Sequence, residues 1–191
     1  FRKNIVLPDL PDQVIMSITA DVSFRIFING IFVAQGPANI GNDYFDGVPP
    51  KHWFFNTHNI KKYLNPGTNT IAAEVFSYSR EISETSSGQG MFICDIDTGL
   101  NKNLVATDTT WKCNIDTSLT VTRGHFYCNS DLEAVNWMDK SFDDSAWENA
   151  SIKNFPKKGY LVHSKIPFPF RYPLIPSRIW LPNNETPLTK I

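Results

Sequence analysis

Ala20-Asp21-Val22-Ser23-Phe24-Arg25-Ile26-Phe27-Ile28-Asn29-Gly30-Ile31-Phe32-Val33-Ala34-Gln35-Gly36-Pro37-Ala38 reads as two strands about a two-residue turn. Both central positions of the tightest hairpin turn need positive φ, and Asn followed by Gly tolerates that best. Gly36-Pro37 stops the second strand. Side chains on a strand alternate between faces, so Phe24, Ile26 and Ile28 share one side while Arg25 and Phe27 point the other way.

The pattern repeats outward from this hairpin. Ile5–Leu7 and Val14–Ala20 read as strands separated by a Pro-Asp-Leu-Pro-Asp connection. Phe54–Thr57 is another, followed by one short helical turn over Asn59–Leu64. Asn65-Pro66-Gly67-Thr68-Asn69 is a tight turn, with Pro preset for its second position and Gly for a positive-φ position. Thr70–Tyr78 is the clearest long strand. Met91–Ile96, Leu104–Thr107, the start at Trp111-Lys112-Cys113 and Tyr160–His163 complete the set, and residues 116–150 read as loop-rich. Short, evenly spaced strands with almost no helical periodicity predict an all-β chain, specifically a jelly-roll β-sandwich. The domain spans 1–165. Five prolines between Pro167 and Pro182 make 166–191 an extended strap or linker to a missing downstream domain. The chain opens at Phe1 without an initiator Met, already strand-like, as a segment of something longer would.

The 191 residues carry 18 Lys+Arg against 19 Asp+Glu, a net charge of -1, which gives no electrostatic footprint for nucleic acid or an anionic membrane. No stretch approaches the roughly 18–20 consecutive apolar residues of a membrane helix. Three cysteines, Cys94, Cys113 and Cys128, cannot all pair internally and lack C-x-x-C spacing, so buried free thiols are expected rather than a Cys113–Cys128 bridge.

Candidate chemistry is sparse. Three Asp pairs, Asp43/Asp46, Asp95/Asp97 and Asp143/Asp144, are available for acid/base work. Asp143-Asp144-Ser145 reads better as a turn whose Asp side chains bond their own backbone. Asp97-Thr98-Gly99 spells the aspartic-protease triplet once, where that chemistry needs two facing copies. His52, His58, His125 and His163 lack metal-ligand spacing. No catalytic residue, protein metal site or cofactor is assigned. A calcium ion held by the oxygen-rich 39–47 loop is the single metal reading the sequence admits. Sugar binding is the remaining chemistry, because flat rings stack on the C–H face of a pyranose while a few polar groups fix its hydroxyls. Tyr44 and Trp53 with Asp43 and Asp46 lie in the long 36–53 connection, and Trp137 and Arg80 stand in other loops that could meet it. Trp111 and Trp147 are assigned to core or corner packing.

The ordered series F-R-I-F-I-N-G-I-F-V-A-Q-G-P-A, L-N-P-G-T-N, T-W-K at 110–112, F-D-D-S-A-W at 142–147 and I-P-F-P-F-R-Y-P-L-I-P resembles the N-terminal, non-catalytic β-sandwich region of bacterial α-L-rhamnosidases of glycoside hydrolase family 78. The same turns mark galactose-binding-like jelly rolls of other glycosidases. The resemblance implies an accessory or carbohydrate-binding domain, with a rhamnose-containing glycan and the missing catalytic domain as partners, and a periplasmic or secreted parent. In that family a downstream (α/α) barrel carries the catalytic carboxylates, and nothing here resembles it. Asn39 stands where the family pattern leads one to expect Arg. Two rivals are a structural spacer docked on the catalytic domain and a small free-standing hydrolase.

Overall fold

The computed structural model describes residues 1–37, 40–41, 52–78, 81–82, 86–87, 90–98, 103–122, 125–152 and 160–165. Strands run Arg2–Leu7 (β1), Ile15–Ala20 (β2), Ser23–Ile28 (β3), Ile31–Pro37 (β4), Ile40–Gly41 (β5) and His52–Asn59 (β6). They continue as Gly67–Phe76 (β7), Glu81–Ile82 (β8), Ser86–Ser87 (β9), Phe92–Asp97 (β10) and Asn103–Ala106 (β11). Lys112–Cys113 (β12), Leu119–Thr122 (β13), His125–Cys128 (β14), Glu148–Asn149 (β15) and Tyr160–His163 (β16) complete the set. The expected helical turn is a single 3-10 turn at Lys61–Tyr63. Among the described residues no helix is long and apolar enough to cross a membrane.

Two sheets face each other. The first has the order β15-β12-β1-β7-β3-β4, the second β11-β10-β2-β6-β16. One apolar cluster draws on both: Ile5, Leu7, Phe24, Ile26, Ile28, Ile71 and Ala73 from the first, and Met16, Ile18, Ala20, Cys94, Ile96 and Val105 from the second. Each fully buried aliphatic side chain contributes about 1.5–3 kcal/mol, so this shared interior dominates the stability of the sandwich. Among the described residues pairing is antiparallel except for β16, which lies parallel to β6.

The hairpin forms as its sequence dictates. Asn29 and Gly30 sit at φ 54° and 78°, and Ile28 pairs with Ile31 across the turn. Phe24, Ile26 and Ile28 are all inside. One residue, Val33, is extra: Ile26 faces Ala34 but Phe27 faces Phe32, a bulge that sharpens the local twist. Asn is required at position 29 for more than its backbone. Its amide donates to Tyr63 O and Asn69 Oδ1, both at 2.9 Å, and its Oδ1 accepts from the Thr70 amide at 3.0 Å. Asn69, fully buried, in turn donates to Asn65 O and Gly67 O and accepts from the Asn65 amide. The N-G and N-P-G-T-N turns are thus one hydrogen-bonded unit.

Two expectations need correction. The 116–150 stretch, read as loop-rich, also contains the antiparallel pair β13–β14. Its signal was present, since Leu119-Thr-Val-Thr and His125-Phe-Tyr-Cys are short strand-formers about an Arg-Gly pair. The three cysteines are free, but only Cys94 is buried; Cys113 is half-buried and Cys128 exposed. Burial pushes the Cys94 thiol pKa up, so that sulfur stays protonated and inert.

Gly30→Ala is expected to destabilise the chain by roughly 1–3 kcal/mol from the positive φ alone, and further because a Cβ there meets Asp139 Oδ1. Gly67→Ala, at φ +89° with open space around it, should lose only the strain; thermal melts of both variants measure the difference. His58 sits opposite Met16 on β2, and burial lowers its imidazole pKa from 6.5. The unfolded imidazole therefore takes up its proton first. Stability contributed at this site is intact above pH 6.5 and is lost as pH falls from 6.5 through the lowered folded value. Melts from pH 7.5 to 5 should fall less steeply for His58→Gln than for the parent chain.

Candidate functional site

The outward face of the first sheet carries one cross-strand row that organises the motif residues. Phe32 on β4 faces Phe27 on β3, Phe27 faces Ala72 on β7, Ala72 faces Arg2 on β1, and Arg2 faces Lys112 on β12. Ala72, with only a methyl group, leaves a shallow trough in the middle of the row. The segment 136–147 lies in it as a roof.

Arg2 holds that roof. Its side chain has no solvent exposure and pairs through Nε with Asp144 Oδ2 at 2.9 Å. Nη1 donates to Trp137 O, Nη1 and Nη2 both donate to Asp139 O at 3.2 Å, and Nη2 reaches Phe142 O at 3.4 Å. The guanidinium also stacks 5.1 Å from the Phe142 ring centre. A buried charge is tolerable only when its donors are all used, and the planar fork of arginine suits several carbonyls converging with one carboxylate. Rings extend the contact. Trp137 meets Phe27 edge-on at 6.0 Å, Phe27 meets Phe32 at 5.8 Å, and Trp147 lies 6.2 Å from Trp137 and 5.5 Å from Phe142.

The F-D-D-S-x-W motif becomes intelligible here. Asp143 Oδ1 accepts from the Ser145 amide at 2.9 Å, and those hydrogen bonds hold its carboxyl below the usual carboxylate range. Asp144 is the anion for Arg2, and its carbonyl accepts from the Trp147 amide at 3.0 Å. Lys112 Nζ donates to Trp147 O, and Ala150 N to Trp111 O. Trp111 is 1 % exposed and donates Nε1 to Ala106 O, which is the core role expected for it. Trp147 has the corner role expected for it.

Of the sugar-site candidates, Asp43, Tyr44, Asp46 and Arg80 lie outside the described residues, as does Asn39 with the 39–47 calcium reading. Trp53 is 1 % exposed; a ring with no open face cannot stack on a pyranose, so its assignment as a sugar contact is corrected to packing. Trp137 is half-buried among Phe27 and Trp147. Trp53 thus lies on β6 of the second sheet, whereas Trp137 lies in the roof segment over the first. Asp95 and Asp97 are half-buried on β10, paired with Ser17 and Ile15 of β2. Among the described residues no three His, Cys, Asp or Glu side chains are grouped to hold a metal ion. The residue that sequence reasoning missed is Arg2; the reading of both Asp side chains as bonding their own backbone holds for Asp143 and is corrected for Asp144, whose carboxylate pairs with Arg2.

The profile of the family described as the alpha-L-rhamnosidase N-terminal domain matches residues 11–168. The chain belongs to the α-L-rhamnosidase N-terminal domain family. No curated protein matches it. Among solved structures, this rhamnosidase N-terminal domain is similar to part of an α-L-rhamnosidase from Dictyoglumus thermophilum, with TM-score 0.69 and 20% identity over 87% of this chain and 19% of that one. It is similar to a family 78 rhamnosidase of Bacillus sp. GL1, with TM-score 0.65 and 23% identity over 87% and 18%. A Streptomyces avermitilis α-L-rhamnosidase complexed with L-rhamnose gives TM-score 0.50 and 21% identity over 79% and 12%. The chain spans less than a fifth of the length of each of these structures, and the likeness is one of fold.

Arg2→Ala is expected to cost about 3–5 kcal/mol, the usual loss when one partner of a buried pair is removed. The loss should be local in its first effect. Hydrogen exchange should accelerate across the roof, 136–149, while amides of β3 and β7 stay protected.

Proposed function

We propose that this rhamnosidase N-terminal domain is a non-catalytic accessory unit of an α-L-rhamnosidase-type glycoside hydrolase. The observation that carries the reading is how the motif residues are used. Asp143 and Asp144, the carboxylates of its most distinctive motif, hold a turn and neutralise Arg2. Trp137 and Trp147 build the roof. These groups stabilise a scaffold, and a scaffold of this family serves a catalytic domain elsewhere in the polypeptide.

The partner in that arrangement is the catalytic domain of the same protein. Ile115, Tyr127, Leu132 and Val135 are 84 %, 59 %, 56 % and 73 % exposed, all within the excursion that carries β13 and β14. Apolar side chains left in water at this density favour a docking surface, and the similar structures are more than five times as long as the part this chain covers. A rhamnose-containing glycan is the second partner, supported by the L-rhamnose in the Streptomyces complex. Among the residues read for sugar contact, Tyr44, Asp43, Asp46, Arg80 and Trp137 remain assigned to it.

The purified chain should leave p-nitrophenyl α-L-rhamnopyranoside intact, and turnover that tracks the folded chain would sink the non-catalytic reading. In the full-length protein, Ile115→Asp combined with Val135→Asp should lower the melting temperature of the catalytic portion while leaving the melt of the isolated chain unchanged. Equal melts for both proteins would remove this surface from the docking interface.

A further inference from the structure

The roof covers only part of the outward face of the first sheet. Two residues along β3 from Phe27, the face is open, and a groove of ≈ 260 Å³ is lined there by Ser23, Arg25, Gln35, Glu74 and Phe76, with Phe24 and Gly36 beneath. Arg25 faces Gln35 on one neighbour strand and Glu74 on the other, so the three form one cross-strand row. The next row places Ser23 opposite Phe76. Arg25 Nη2 and Glu74 Oε2 are ion-paired, yet the two side chains keep 48 % and 37 % exposure. The Phe76 ring is braced edge-on by Tyr78 at 5.0 Å.

We propose that this groove binds a neutral pyranose through two adjacent hydroxyl groups. A hydroxyl both donates and accepts, whereas guanidinium only donates and carboxylate only accepts. Arg25 and Glu74 side by side therefore match a vicinal diol: one hydroxyl accepts from Arg25 and its neighbour donates to Glu74. Gln35 offers both functions to a third hydroxyl. An anionic ligand meets Glu74 and a cationic one meets Arg25, so the pair selects against net charge. Phe76 supplies the apolar wall for the C–H face of the ring. The volume falls below the roughly 300–1,000 Å³ of drug-sized pockets, which limits occupancy to about one sugar ring. The proposal draws on the glycan-partner reading above only for its choice of probe.

The test is a proton–nitrogen correlation titration of the chain with methyl α-L-rhamnopyranoside and, separately, methyl β-D-galactopyranoside. Saturable shifts are expected in the amides of 23–25, 35–36 and 74–76. Glu74→Gln, nearly isosteric, should keep a dispersed spectrum and weaken binding by about tenfold or more, the usual worth of one charge-assisted hydrogen bond. Arg25→Gln should do the same from the other side of the pair, and 2-(hydroxymethyl)tetrahydropyran, which lacks the diol, should not bind. Shifts confined to other residues overturn this site while leaving a glycan partner in place. Undiminished affinity in both variants, or no shift with either glycoside, also overturns it, and neither result bears on whether the chain hydrolyses rhamnosides.

Discussion

A single guanidinium with no access to water fixes the arrangement of everything on the outer side of the first sheet. Arg2 costs several kcal/mol to desolvate, and that cost is offset only if one carboxylate and three carbonyls converge on it together. The convergence demands a particular path for 136–147. That path in turn brings Trp137 onto Phe27, Trp147 onto Phe142, and Asp139 against the tip of the first hairpin. The neutral alternative, an apolar residue at position 2, would pack the trough without specifying which loop conformation fills it.

Much of the sandwich was legible in the sequence because its local signals agree with one another. Asn29-Gly30, Asn65-Pro66-Gly67 and the period-two burial of Phe24, Ile26 and Ile28 each set one element without reference to the others. The hairpin at 119–128 escaped because its two strands are only four residues long and the sequence between them is Arg-Gly rather than Asn-Gly. The parallel pairing of β16 with β6 could not be read at all, since nothing local in Tyr160–His163 distinguishes a parallel neighbour from an antiparallel one.

The functional residues were harder to read, for a physical reason. Aromatic side chains in a β protein serve packing and sugar stacking with the same chemistry, and only burial separates them. Trp53 looked like a platform beside a long loop, yet it is closed off from solvent. Trp137 meets Phe27 and Trp147 and stays half-buried. Arg25, Gln35 and Glu74 were invisible as a group because they are far apart in sequence; only the registers of β3 with β4 and with β7 bring them into a row. By contrast, the turn role of Asp143 was legible from Asp-Asp-Ser alone, as its bond to the Ser145 amide bears out.

The separation between Arg2 and Asp144 is 142 residues, and this fixes an order of events during synthesis. Elongation at roughly 5–20 residues per second keeps the arginine without its carboxylate for on the order of ten seconds. Through that interval β2, β3, β4, β6, β7, β10 and β11 can already pair, because their partners emerge earlier and their burial is apolar. Arg2, on the opposite side of β1, remains hydrated at no cost until the loop arrives. The charge is therefore withdrawn from water only once every group that compensates it has been synthesised, and the half-made domain never has to carry it bare.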